Sequence, residues 1–151
     1  MAQGDELEDL LRRVYVEGGF TAPEIAATAF AAPAILARGE LLVARDASGS
    51  LSGMVMVVFP GSPARRLAAH DEVEMHLLAV APERRKEGIG RALVDAAIEL
   101  ARSRNAKKMW LWTQPTMTDA RRLYERAGFA RASERDFENA GRSFWVFARN
   151  L

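Results

Sequence analysis

The chain contains no cysteine, and that single absence removes disulfides, thiolate metal ligands and a cysteine nucleophile together. Histidine is almost as scarce: His70 and His76 are the two present, and no carboxylate set at ligand spacing accompanies them, so no metal site is expected. An excess of either charge is also missing. The 21 lysines and arginines meet 20 aspartates and glutamates, which denies the domain the basic surplus of a nucleic-acid binder. No apolar run reaches the roughly 18 residues of a spanning helix, and nothing near Met1 resembles a signal peptide. The expectation is a soluble, cytoplasmic protein with neither nucleic acid nor membrane as partner. What the chain does have is 49% apolar residues over 151 positions, enough core for one domain spanning residues 1–151.

Periodicity divides this domain into helices and strands. Leu7, Leu10, Leu11, Val14 and Tyr15 recur at helical spacing between Asp5 and Val16, and Gly18-Gly19 follows as a stop. Thr21 with Glu24 has the spacing of a capping box, opening an alanine-rich helix that Pro33 must bend or end. Leu41 to Arg45 and Leu51 to Phe59 read as a hairpin around the turn residues 46–50, and Pro60 to Asp71 reads as a long irregular loop near the site. Val73 to Val80 is a strand whose alternation puts Val73, Met75, Leu77 and Ala79 opposite Glu74, His76, Leu78 and Val80. A helix starting at about Gly88 carries Ile89, Leu93, Val94, Ala97, Ile98 and Ala101 on one face. Lys107 to Thr113 is the next strand, with Trp110 and Trp112 on one face and Met109, Leu111 and Thr113 on the other. A strand, helix and strand in this order make a right-handed crossover with parallel strands, so the fold class is α/β. Thr116 with Asp119 resembles a second capping box, leading a helix that Gly128 closes, and Phe129 to Asp136 and Arg142 to Ala148 are expected as the last two strands.

The chemistry concentrates at the turn Arg84-Arg85-Lys86-Glu87-Gly88-Ile89-Gly90-Arg91. Glycines at a helix start leave bare backbone, where unpaired amides and the positive helix end attract phosphate. The spacing is neither that of a Walker loop nor that of a dinucleotide fingerprint, whose first glycine would fall at Arg85. Its neighbours make the turn specific. Arg85-x-x-Gly88-x-Gly90, with Leu78-Ala79-Val80 before it and Leu123-Tyr124-Glu125-Arg126-Ala127-Gly128-Phe129 downstream, resembles the GNAT superfamily of acyl-CoA-dependent N-acyltransferases over roughly Leu41 to Phe129.

That resemblance implies a mixed, mostly antiparallel sheet of about six to seven strands, with about four helices and a parallel, splayed pair in the middle. It implies an N-acetyltransferase that moves the acetyl group of acetyl-CoA directly to a primary amine, without a metal. The amides of Arg85, Lys86, Glu87, Gly88, Ile89, Gly90 and Arg91 would hold the coenzyme A pyrophosphate, and the edge of Leu78, Ala79 and Val80 would pair with the pantetheine arm. Tyr124 takes the place of the general acid that protonates the leaving thiolate, and Glu74 that of the general base, with Glu72, His76 and water as the alternatives. Phe20, Tyr15 and Val16 fall where this family often contacts the acceptor, whereas Trp110 and Trp112 read as core. Two positions depart from the family pattern: Met117 stands where asparagine is common, and Glu87 brings a carboxylate to the phosphate turn. The acceptor, small molecule or protein, is open, and family analogy adds a homodimer. The competing reading is a non-catalytic acyl-CoA-binding sensor or interaction domain.

Overall fold

A computed structural model describes residues 3–151. The chain enters through helix α1 (Gln3–Leu11), which widens into a π turn over Arg12–Val16, and then forms two short helices, α2 (Pro23–Ala29) and α3 (Ala32–Leu36). The break between them sits just before Pro33, as the sequence requires. Seven strands follow: β1 (Glu40–Arg45), β2 (Leu51–Val58), β3 (Val73–Val80), β4 (Lys108–Thr113), β5 (Ala130–Arg131), β6 (Phe137–Asn139) and β7 (Arg142–Asn150). Helix α4 (Ile89–Ser103) crosses from β3 to β4, and α5 (Thr118–Arg126) follows β4. The sheet runs β1-β2-β3-β4-β7-β5, with β6 added to β7, and β3 with β4 is its parallel pair. None of these helices is long and apolar enough to cross a membrane.

The middle of the sheet is buried on both faces. Along β2, Val55 and Val57 meet Leu93, Val94 and Ala97 of α4, while Met54 and Met56 meet Leu7, Leu10 and Leu11 of α1 and Ile35 of α3. The strand therefore reads as a continuous apolar run because each face has its own helical layer. The strict alternation expected along β3 breaks at Leu77. Met54 lies opposite Ala79 and Met56 opposite His76, so β3 spends three steps where β2 spends two. The extra residue is a bulge, with Leu77 at φ 56°. Val73 and Met75 consequently face α4, whereas Ala79, two and three turns of the alternation later, faces α1.

Three further expectations are corrected by the fold. Neither capping box forms: α2 starts after Ala22 with Pro23 supplying the helical φ, and α5 starts after Met117, one residue beyond Thr116. The strand expected over Phe129 to Asp136 shrinks to β5 and gives way to a 3₁₀ turn at Ser133–Arg135, and β6 forms beyond its expected end. Asp136 is the cause, because its Oδ1 accepts the Val146 N–H at 2.8 Å, replacing a main-chain acceptor, while its Oδ2 pairs with Arg131.

Candidate active site

Strands β3 and β4 are in register at Val73 with Met109 and at Glu74 with Trp110, and then diverge. Beyond Glu74 they share no ladder pairs. The bulge at Leu77 and the divergence open a cavity of about 250 Å³ between the strands, walled by Leu77, Leu78, Trp112, Thr113, Met117 and Tyr124 and closed outward by Tyr15, Phe20 and Phe137. The splay that lets an extended ligand reach strand backbone is thus present in the fold. Tyr15, on the π turn, donates its hydroxyl to the Leu78 carbonyl at 2.7 Å and so joins the N-terminal helical layer to the bulge. Gln114 donates to the Phe20 carbonyl at 2.6 Å, which ties the following loop to the end of β4.

Glu74 is fully buried, and none of its oxygens faces the cavity unoccupied. Its Oε2 accepts the main-chain N–H groups of Arg66, at 2.8 Å, of Leu67, and of Ala68, at 2.8 Å. Its Oε1 lies 2.8 Å from His76 Nε2. So enclosed, the Glu74 carboxylate reaches the cavity only through His76, which lines it. The loop over residues 60–71 is likewise not free, because one carboxylate pins its middle.

His76 carries the chain of bonds to the cavity. Its Nδ1 lies 3.2 Å from Arg38 Nη1, and a guanidinium only donates, so Nδ1 accepts and the ring proton sits on Nε2, aimed at Glu74. Trp112 lies against the ring with centroids 4.7 Å apart. Burial lowers the His76 pKa; the Glu74 hydrogen bond and charge oppose that, and Arg38 adds to it. For Glu74, burial raises the pKa, but the bonds from His76, Ala68, Leu67 and Arg66 outweigh it and leave the carboxyl below its ordinary value. Both shifts act in the same direction on stability. The unfolded chain protonates His76 near pH 6.5 before the folded protein does, and protonates Glu74 before the folded protein does as well. Stability is therefore expected to be full above about pH 6.5 and to fall progressively on acidification, first from His76 and then, below about pH 4.5, from Glu74. Urea unfolding across this range checks it, with His76→Gln losing the fall between pH 7 and pH 5.5.

Tyr124, on the inner face of α5, is 6% exposed and packs against Phe129 and Phe147 with centroids 6.1 and 6.4 Å away. Its hydroxyl makes no hydrogen bond among the described residues and is not sealed off as a buried orphan, because the residue lines the cavity and the hydroxyl is open to it. Burial pushes its pKa up, so the phenol keeps its proton at every working pH.

The turn from Arg84 to Arg91 follows β3. Gly88, at φ 83°, ends the approach to α4 in a left-handed conformation that a side chain resists, and a Cβ there would project into open space. The N–H groups of Gly88, Ile89, Gly90 and Arg91 have no acceptor among the described residues. These four amides at a helix start form a cradle that fits a diphosphate. Glu87 does not confront it: its carboxylate lies 3.4 Å from Arg84 Nη1, whose other nitrogen holds Asp46 at 2.8 Å. Arg85 and Lys86 are exposed, and Arg91 bonds to Asp95 at 3.0 Å and to the Arg126 carbonyl at 3.2 Å. Of the strand positions, Leu78 and Val80 face α4, where Val80 meets Gly90, and Ala79 packs into the opposite core. Met117 accepts a weak bond from Thr113 at 3.4 Å where an asparagine was common.

A profile of the acetyltransferase (GNAT) family matches residues 4–129. The chain belongs to this family. This GNAT chain is 34% identical over 93 residues to the mycothiol acetyltransferase of Clavibacter sepedonicus, covering 62% of its own length and 28% of that protein. It is 36% identical over 88 residues to the streptothricin acetyltransferase of Streptomyces lavendulae, covering 58% of this chain and 43% of that one. It therefore spans less than half the length of these two curated relatives. Among solved structures, nourseothricin acetyltransferase superposes with a TM-score of 0.60 at 29% identity, over 73% of this chain and 64% of that one. A GNAT acetyltransferase of Staphylococcus aureus Mu50 superposes with a TM-score of 0.76 over 98% of this chain and 92% of that one, at 14% identity that speaks for the fold alone.

Within the GNAT frame, Tyr15 and Phe20 line the cavity, whereas Val16 opens on a separate surface hollow beside α1 and α2. Trp110 is core, donating to Glu72 at 2.8 Å, but Trp112 is cavity wall. That bond occupies Glu72, which also accepts from the Ala69 N–H at 2.9 Å. Sequence reading missed Arg38 and Arg142, both on the cavity. Arg142 had no signal. Arg38 had one, as the lone charge in the otherwise apolar run of residues 31–39.

Proposed function

We propose that this domain is an N-acetyltransferase that binds acetyl-CoA and an amine together and transfers the acetyl group directly to the amine nitrogen. One observation carries the reading: the splayed β3–β4 gap holds, within a single cavity, a histidine oriented by a buried carboxylate and an unpartnered tyrosine hydroxyl. Family membership supports it, as do relatives that are named acetyltransferases. The free amides of Gly88 to Arg91, with Arg85, Lys86 and Glu87 leading into them, would hold the pyrophosphate, and the open edge of Leu78, Ala79 and Val80 the pantetheine. Acetyl-CoA supplies an activated thioester when bound there. The residues of the chain then divide the proton work.

Glu74 acts as the base through His76. With Nε2–H held by Glu74, His76 Nδ1 takes the proton of the attacking amine, and Glu74 stabilises the imidazolium that results. An amine of pKa about 10.4 is mostly protonated at pH 7, so a positioned acceptor is needed to present it neutral. Strand amides near Leu78 or Val80 offer the developing oxyanion a donor. Tyr124 gives its proton to the departing sulfur, from a phenol that burial keeps protonated. A thiol of pKa about 8.5 leaves fairly well unaided, so Tyr124→Phe is expected to lower kcat by about 10–100-fold rather than abolish it, with acetyl-CoA affinity retained. Thiol release with a broad amine panel, alongside calorimetric titration of acetyl-CoA, is the test. Binding without turnover by the wild type would sink the enzyme reading and leave a sensor.

A further inference from the structure

Three arginines reach the cavity, Arg38, Arg66 and Arg142, and no aspartate or glutamate lines it. Eight arginines elsewhere each pair with a carboxylate, and none of these three does among the described residues. Seven arginines away from the cavity also lack a carboxylate partner among the described residues, so what sets these three apart is their place on the cavity. Arg142 rests on neutral acceptors, the Gly19 carbonyl at 3.0 Å and Gln114 Oε1 at 3.4 Å. Arg66 stacks on Phe137, its guanidinium carbon 3.7 Å from the ring centre. Arg38 is half-buried, and the one acceptor its guanidinium meets is His76 Nδ1. A guanidinium brought out of water with most of its five donors unused is an anion site that lacks its anion.

The same contact creates a conflict inside the mechanism. His76 Nδ1 is the atom that must accept a proton, and Arg38 occupies its lone pair. Arg38 withdrawn toward another acceptor would free it. A planar carboxylate is the natural counterpart of a guanidinium fork, and the excess of positive charge around the cavity repels a simple polyamine. Resting on the acetyltransferase reading, we propose that the acceptor is a small primary amine carrying a carboxylate, that Arg38 receives the carboxylate, and that this engagement releases His76 for the amine. The cavity volume of about 250 Å³ and the walls of Phe20, Trp112, Phe137 and Phe144 suit an amino-acid-sized molecule with an apolar side chain.

Paired acceptors test this: phenylalanine with phenethylamine, tryptophan with tryptamine, leucine with isoamylamine, each assayed by thiol release from acetyl-CoA. In the wild type, kcat/KM is expected to favour the carboxylate-bearing member by about 10–100-fold, the range that one to two charge-assisted hydrogen bonds provide. Arg38→Met removes both the anion receptor and the donor on Nδ1. It should collapse that ratio from two sides, with turnover of the amino acids falling and turnover of the simple amines rising; Arg38→Lys should restore part of the preference. The rise is diagnostic, because a variant that merely folds poorly loses both activities together. Equal or better rates with the simple amines in the wild type, or a ratio unchanged in Arg38→Met, would overturn the proposal while acetyl transfer itself stands. An absence of thiol release from every member of both series overturns the acetyltransferase reading as well.

Discussion

Glu74→Ala is expected to destabilise the protein by about 3–5 kcal/mol, the cost of breaking a buried charged cluster and leaving its partners unpaired. The carboxylate holds three consecutive main-chain donors, Arg66, Leu67 and Ala68, together with His76 Nε2. Alanine leaves all four without an acceptor in a site that water does not reach. The loop between β2 and β3 loses its anchor with them, and Arg66 loses its place at the cavity rim. Urea unfolding of the variant, with proteolysis to locate cleavage within residues 60–71, checks both parts. A loss under about 1 kcal/mol would mean that the loop holds itself and that Glu74 is dispensable to the fold.

His76→Gln carries the largest expected catalytic effect, a fall in kcat of about 10²–10⁴-fold. Glutamine can still bond to Glu74, so the loop and the fold are kept, but it has no atom that takes a proton at neutral pH. In the wild type the histidine must be neutral to act. Since its pKa is held below the ordinary value, kcat/KM should stay level down to about pH 6.5 and decline below it. The variant should lose this acid limb along with the rate. A variant of normal kcat, or one whose pH profile is unchanged, would return the proton to water or to another group.

Much of the fold was legible because the elements that mattered are locally consistent. The helix from Gly88 to Ser103 has its glycine start and its apolar stripe in sequence, and Lys107 to Thr113 sorts Trp110 from Met109 and Leu111 by simple alternation. The failures share a cause. Each capping box was displaced by its neighbours, Pro23 or the turn before Met117, which fixed the helix start one position later. The last β region broke because the Asp136 side chain took a bond from Val146, ten residues on in sequence, which no local pattern records.

For the site the division is sharper. The motif Arg85-x-x-Gly88-x-Gly90 and the downstream Leu123-Tyr124-Glu125 carried the family resemblance, the free-amide turn and the candidacy of Tyr124, because backbone conformation at a glycine turn and position on a helical stripe are local properties. Glu74 and His76 share a face of β3 by alternation alone. Which of them opens on the cavity was decided only by tertiary structure, because burial and hydrogen-bond occupancy depend on what the distant chain brings: the loop amides that close over Glu74, and Arg38 from the far side of the first hairpin that sits on His76. The bulge at Leu77 and the splay of β3 from β4 belong to the same class, since register is a property of two strands and is written in neither one alone.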